Sequence, residues 1–271
     1  CWAFTGYCMH FVAENCEKWE TGCENCPVFR NYSWFSDRSK TLYKRKKSIF
    51  EKNNITVVTP SEWLADLAKR SFAGNDVRVI NNGIKLSVFR PTESDFREKH
   101  GITKTDFMIL CVADNWGGKK GTDDLRQVAE TFGNGFKLVA VGTGSDGLSE
   151  KILRLPRTQS QEELAEIYTA ADLFINLTHE DTFPTVNIEA LACGTPVLTY
   201  LTGGSGEMVD NSCGSGVETG DIDAFLREIK RISAERPYTA ENCVKKASAY
   251  ADTEKFEEYV SLYKELVGEK R

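Results

Sequence analysis

No stretch of this 271-residue sequence is apolar for long enough to span a bilayer. Its first residues also lack the charged, apolar and small-residue layout of a signal peptide. Neither charge sign dominates, since 34 Lys and Arg stand against 40 Asp and Glu for a net charge of −6. That balance argues against a chain built to coat nucleic acid or an anionic bilayer, and no nucleic-acid partner is expected. Internal repeats and low-complexity tracts are missing, and the loop "DNWGGKKGTDDL" at residues 114 to 125 matches neither the Walker pattern nor the dinucleotide glycine fingerprint. What remains is a 41% hydrophobic, globular sequence, expected to be soluble. It is long enough for one large domain or two small ones. The chain begins at Cys1 rather than Met and its first residues read as mid-protein, so a fragment of a longer chain is expected.

Cysteine is plentiful by contrast, and its nine residues fall into two groups. Cys111, Cys193, Cys213 and Cys243 are scattered, as reduced and mostly buried thiols are in a cytosolic protein. Cys1, Cys8, Cys16, Cys23 and Cys26 crowd the first 26 residues, the last two as a C-x2-C pair. One such pair is half a zinc signature; tetrahedral zinc takes four thiolates or imidazoles. Cys8 and Cys16, or His10, complete the set in one reading, a small structural zinc knuckle on Cys8, Cys16, Cys23 and Cys26. Plain reduced thiols are the other reading, and a cytosolic setting disfavours disulfides.

Beyond an irregular, aromatic first fifty residues and the basic run "KTLYKRKKSIFEK", "NITVVTPSEWLADLAKRSF" reads as a strand, a Ser61 cap and an amphipathic helix. "DVRVINNGIKLSVFRPT" adds a short strand and a turn ended by Pro91. From about residue 104 apolar strands alternate with helices: "DFMILCVAD", "GTDDLRQVAETF", "FKLVAVGTG", "EKILRL", "SQEELAEIYTAA", "DLFINLT", a helix from about Thr185 to Cys193, and a strand from Pro196 to Tyr200. Ser160 and Glu163 have the spacing of a capping box. "SGVETGDIDAFLREIKRI" supplies a further strand and helix, and "TEKFEEYVSLYKELVGEK" a last helix. The pattern predicts an α/β fold, a doubly wound parallel sheet of Rossmann-like type.

The stretch "EDTFPTVNIEALACGTPVLTY", residues 180 to 200, lies at the carboxyl end of a strand, where ligands of such sheets sit. A helix starting near Pro184 turns the N–H groups of Thr185, Val186 and Asn187, and the positive end of its dipole, toward that rim. Asp181 and Glu189 then flank an anion site. Carboxylates are poor phosphate ligands but good acceptors for sugar or ribose hydroxyls, which suggests a nucleotide-sugar. On spacing alone a second reading stands beside it: Asp181 caps the helix and Glu189 is a solvated acid. The loop "DNWGGKKGTDDL" puts Lys119 and Lys120 on a glycine-rich strand-to-helix turn, where ammonium groups can neutralise a diphosphate. "VGTGSDG" adds a second glycine turn, in which Gly142 and Gly144 permit close approach of backbone to ligand.

Together with "VTPSEWLADLAK" and "VINNGIKLSVFRP", the segments "KKGTDDL", "LAEIYTAADLFINLTHEDTFPTVNIEALACGTPVLTYLTGGSGE" and "FEEYVSLYKELV" resemble the retaining glycosyltransferases of family 4, of the two-Rossmann-domain GT-B type. The cysteine-bearing "CWAFTGYC" and "WETGCENCP" are similar to a bacterial subgroup of capsule, lipopolysaccharide and exopolysaccharide assembly. The resemblance implies a partial N-terminal acceptor-side domain over residues 1–91 and a donor-binding domain over 92–250. It further implies a terminal helix, 251–271, packing back toward the N-terminal part.

By position, the family's two acids, with seven residues between them, fall on Asp181 and Glu189. The resemblance implies that Glu189 holds the ribose hydroxyls and Asp181 the donor sugar, with Glu180 able to share that contact. Backbone near Phe183, Pro184, Thr185, Val186 and Asn187 would meet the distal phosphate. Lys120 matches the family's lysine, whereas Asn115 stands where an arginine is usual and Lys119 supplies the charge instead. Arg157 and Thr158 take the base, with Gly144, Gly203 and Gly204 in turns beside the donor. The implied reaction moves a sugar from a nucleotide diphosphate donor to a glycan or lipid-linked glycan acceptor with retention. It needs no metal cofactor, so the zinc above would be structural. Lys119, Lys120 and the helix start would stabilise the departing diphosphate. His10 is a tempting base, but the family's catalytic histidine is expected further upstream. A glycoside hydrolase, which also uses two carboxylates, leaves the lysines unexplained. A non-catalytic nucleotide-sugar-binding module and an epimerase or phosphorylase of the same fold are the rivals. The expected location is cytoplasmic, with peripheral contact at the inner face of the plasma membrane through the "YKRKK" patch.

Overall fold

The structure, a computed structural model, describes residues 3–8, 12 and 14–268. The expectations placed on Cys1 and His10 lie outside the described residues. The chain divides into two compact units, Cys1–Asn81 and Asn82–Arg271.

The first unit holds a four-residue helix α1 (Lys18–Thr21) and the basic helix α2 (Ser39–Lys52). A strand–helix–strand unit follows: β1 (Val57–Thr59), α3 (Glu62–Lys69) and β2 (Val77–Val79). Ser61 starts α3 as read from the sequence, its hydroxyl accepting the Leu64 N–H at 3.2 Å. β1 and β2 pair in parallel, Val57 opposite Val77. Leu64, Leu67 and Ala68 of α3 bury against Phe4, Trp19 and Ala73 in a small core.

The second unit begins with α4 (Phe96–Lys99) and then alternates regularly. Its strands are β3 (Phe107–Asn115), β4 (Phe136–Thr143), β5 (Ile152–Leu155), β6 (Leu173–Asn176), β7 (Val197–Tyr200) and β8 (Gly214–Val217). Between and after them run α5 (Thr122–Thr131), α6 (Gln161–Ala170), α7 (Thr185–Ala192), α8 (Ile222–Glu235), α9 (Ala240–Ala247) and α10 (Asp252–Gly268). All six strands are parallel, in the order β5-β4-β3-β6-β7-β8. This is the doubly wound Rossmann order, which reverses between β3 and β6.

Alternation along β3 shows why both faces must be covered. Met108 and Leu110 enter one core with Tyr168 of α6 and Ile188 and Leu191 of α7. Phe107, Ile109 and Cys111 enter the other with Leu125 of α5 and Phe225 and Ile229 of α8. Each such fully buried side chain contributes about 1.5–3 kcal/mol of transfer free energy. The capping box opening α6 is half shifted: Ser160 accepts the Glu163 N–H at 3.1 Å, but the Glu163 carboxylate takes the N–H of Gln159 at 2.7 Å.

The two compact units divide after Asn81, upstream of residue 92, where the donor-binding domain is expected to start. Ile84 is the reason: its N–H donates to Tyr250 O at 2.9 Å, and its own O accepts the Asp252 N–H at 3.0 Å. Residues 82–91 are thereby stitched to the start of α10, and both segments count with the second unit. Among the described residues no helix is long and apolar enough to cross a membrane.

Candidate functional site

The sheet reverses between β3 and β6, so their carboxyl ends splay apart and leave a crevice. The loop after β3 closes one side of it and the loop after β6 the other. A glycine joins the two. Gly121, at φ 72°, starts α5, and a Cβ there would lie 2.2 Å from Leu177 O. The lysine loop therefore rests directly on the end of β6. Lys119 O, in turn, accepts the His179 N–H at 2.9 Å and the Thr178 hydroxyl at 3.3 Å. His179 Nε2 sits 2.6 Å from Asp124 Oδ2 on α5 and locks the same junction.

On this frame Lys120 Nζ donates to Asp181 Oδ2 at 3.1 Å, and Lys119 Nζ to Glu180 Oε2 at 3.0 Å. Asp181 uses its other oxygen to accept the Phe183 N–H at 3.2 Å, which tightens the approach to α7. Gly203 supports that loop from behind. It holds φ 55°, and a Cβ would come within 1.6 Å of Asp181 O. Gly204 donates its N–H to Thr182 O at 3.2 Å. Phe183 is buried and packs on Tyr250, ring centroids 5.9 Å apart.

Two cavities meet at the start of α7. The first, about 350 Å³, has Lys120, Asp181, Phe183, Pro184 and Trp116 in its wall. The second, about 660 Å³, has Glu189, Arg157, Thr158, Gly142 and Ser160. Val112, Ala113, Asp114, Thr185 and Val186 line both. Lys120 and Glu189 thus face adjoining compartments separated only by the first turn of α7 and the end of β3. The amides of Thr185 and Val186 meet no acceptor among the described residues. At the base of the second cavity Tyr168 Oη donates to Glu189 Oε2 at 3.1 Å. Burial pushes the Glu189 carboxyl up from its ordinary value, against the hydrogen bonds of Tyr168 and Thr185. Arg157 reaches Asp114 at 3.2 Å, both well exposed. A larger and more open concavity of about 790 Å³ lies beside α4, far from the strand ends in sequence, and gathers none of these residues.

Of the residues singled out in the sequence, Lys120, Asp181, Glu189, Arg157, Thr158, Phe183, Pro184, Thr185 and Val186 reach one or other cavity. Glu180, Lys119, Gly144, Gly203 and Gly204 line neither. Asn187 needs correction. Its N–H already donates to Pro184 O at 3.1 Å. Its side chain is buried, accepting from Asn176 Nδ2 at 2.8 Å, so it ties α7 to β6 and offers nothing to a ligand. Sequence reasoning missed Tyr168, Trp116 and the His179–Asp124 contact. Trp116 is buried, and its indole N–H meets no acceptor among the described residues.

The chain is similar to several known proteins. WcaC of Escherichia coli strain K12, a glycosyl transferase named for colanic acid biosynthesis, is 25% identical over 276 residues, 98% of this chain and 66% of that protein. The sucrose-phosphate synthase tll1590 of Thermosynechococcus elongatus has a similar structure, with a TM-score of 0.74 and 25% identity over 89% of this chain and 65% of its own. Anabaena Alr3699/HepE, in complex with UDP and glucose, shares the fold with a TM-score of 0.72 at 17% identity, over 83% of this chain and 67% of its own. The chain therefore spans about two thirds of the length of these relatives. The sequence profile of the glycosyl transferases group 1 matches residues 92–250, more than half of the chain, a range that contains all six strands of the doubly wound sheet. This protein belongs to the glycosyl transferases group 1.

Proposed function

We propose that this chain carries the donor site of a retaining glycosyltransferase of family 4, acting in surface polysaccharide assembly. The donor is a nucleoside diphosphate-sugar and the acceptor a hydroxyl of a glycan or lipid-linked glycan. One observation carries the reading: two adjoining cavities share the start of α7, one with Lys120 and Asp181 in its wall and the other with Glu189, Arg157 and Thr158.

In this reading the nucleoside occupies the larger cavity. Its ribose hydroxyls donate to the Glu189 carboxylate, which Tyr168 holds in place, and its base lies along Arg157 and Thr158. The diphosphate crosses the shared wall and receives the N–H groups of Thr185 and Val186 at the positive end of α7. Lys120 releases Asp181 and turns to the distal phosphate, leaving Asp181 to accept from hydroxyls of the sugar. As the bond to the anomeric carbon breaks, negative charge grows on that phosphate, and preorganised donors stabilise the charge as it forms. HepE, of like fold, is described with UDP and glucose, which supports a nucleoside diphosphate-sugar as donor. The colanic acid wording of WcaC supports a polysaccharide product.

The reading is tested by calorimetric titration of UDP and GDP into the protein and its Glu189→Gln variant. Binding of one nucleotide by the wild type, weakened in the variant, is the expected result; no binding of either by the wild type would overturn it. A second reading, a nucleotide-sugar-binding module without turnover, is favoured by Asn115 at the position where the family resemblance implies arginine. Donor binding without transfer by the full-length protein would select it.

A further inference from the structure

The first unit holds a cluster that the donor site does not use. Cys8, Cys16, Cys23 and Cys26 come from separate points of a segment with little regular structure, yet all four line one cavity of about 20 Å³. That is the space of about one water molecule, too small for an organic ligand. None of the four is in a disulfide. Trp19 and Val28 share the wall with Glu14, Lys18 and Glu24, and Phe4, Leu64 and Leu67 pack in the same core.

We propose that Cys8, Cys16, Cys23 and Cys26 bind one zinc ion as a four-thiolate site that staples the first forty residues of the chain. The local hydrogen bonds suit such a site. Cys23 Sγ accepts the Gly6 N–H at 3.2 Å, the kind of outer contact that orients a thiolate ligand. The Cys26 N–H donates to Asp37 Oδ2 at 2.7 Å, which pins the far end of the C-x2-C turn. Lys46, on α2, puts its ammonium on Thr5 O and Gly6 O, both at 3.0 Å. A cation beside the cluster offsets the excess negative charge of four thiolates around a divalent ion. Zinc binding would displace the thiol protons to solvent.

Among the described residues no three His, Cys, Asp or Glu side chains stand as a ready-made metal cage. Ion binding would therefore have to draw the four sulfurs together. Among the described residues ahead of α2 the regular structure amounts to the single turn of α1 and a short turn at Phe29–Asn31, and a segment of that kind gains most from such a staple.

The experiment uses the full chain purified without chelator. Elemental analysis should give about one zinc per chain, and Cys23→Ser and Cys26→Ser should each lower the retained metal by about tenfold or more. Cys111→Ala, in the second unit, should leave it unchanged. Cobalt exchange of the wild type should produce intense visible bands of a tetrahedral thiolate site together with sulfur-to-cobalt charge transfer. That readout stands even where a cysteine variant fails to fold. Protein grown in added zinc that contains none, zinc retained in full by Cys23→Ser, or a cobalt form without charge-transfer bands would each overturn the proposal.

Discussion

In the cavity of Lys120 and Asp181 the charges are paired and half open to solvent, their side chains 40% and 23% exposed. In the neighbouring cavity Glu189 is packed round by protein, holds a phenol instead of a cation, and has its pKa raised by burial. Exposed ion pairs add about 0–1 kcal/mol to stability, so Lys120 and Asp181 can part for a ligand at little cost to the fold. A buried carboxylate without a cationic partner works against folding. The first compartment is thus built to rearrange and the second to stay fixed, which suits a reacting diphosphate-sugar on one side and an anchored nucleoside on the other.

The largest effect should come from Gly203→Val. The residue sits at positive φ with Asp181 O where a Cβ would be. Relieving both conflicts is expected to cost about 3 kcal/mol or more. The damage should be one-sided: diphosphate-sugar affinity should fall with the melting temperature, while nucleoside binding in the second cavity survives. A melting temperature within a degree of wild type would show that the acid loop does not depend on this glycine.

Next come the substitutions that separate the compartments. Glu189→Gln should weaken nucleoside and nucleoside diphosphate alike, about 10- to 100-fold, because an ionised acceptor is lost. Lys120→Ala should weaken the diphosphate and leave the nucleoside untouched. Calorimetry with both ligands on both variants checks this, and a Lys120→Ala protein that loses nucleoside affinity would merge the two compartments into one.

The same contrast has a pH signature. The raised pKa of Glu189 means that the folded chain keeps a proton that the unfolded chain has lost. The penalty of its charge therefore grows as pH rises from the ordinary carboxyl value through the raised one. Asp210 runs the other way: bonds from Ser212 and from Lys246 hold it well below the ordinary value, so its stabilisation is lost as pH falls. Glu189→Gln should accordingly melt higher than wild type at neutral pH, with the gap closing toward acid, and Asp210→Asn should melt lower at neutral pH. Thermal melts across that range decide it.

How much of this could be read beforehand depends on the range of each contact. β3, β4, β6 and β7 are continuous apolar runs and read as buried parallel strands, and Ser61 and Ser160 announce their helices because a cap is a contact over three residues. The strand order is not written locally, since it follows from packing on both faces. α9 went unread because its eight residues bury only Cys243 and Ala247. In the site, Asp181 and Glu189 were visible as a spaced pair. The partnership of Lys120 with Asp181 spans 61 positions and that of Tyr168 with Glu189 spans 21, and no local pattern encodes either. Asn187 was misread because helix polarity predicts which amides lie near the end, and a tight turn from Pro184 O takes one of them.

The smallest predicted effect tests whether the second compartment is as fixed as its burial implies. Ser160 belongs to its wall and caps α6 at the same time, its hydroxyl accepting the Glu163 N–H. Ser160→Ala should cost about 1 kcal/mol of stability, the usual worth of a cap. Tyr168 lies two turns further along α6 and is wholly buried, and Thr195 donates to its carbonyl oxygen. Fraying of the first turn should therefore stop short of Tyr168, leaving the phenol on Glu189 and the nucleoside affinity within about twofold of wild type. A loss of affinity as large as that of Glu189→Gln would mean that the phenol's position is set from the start of α6, making the whole helix part of the nucleoside site.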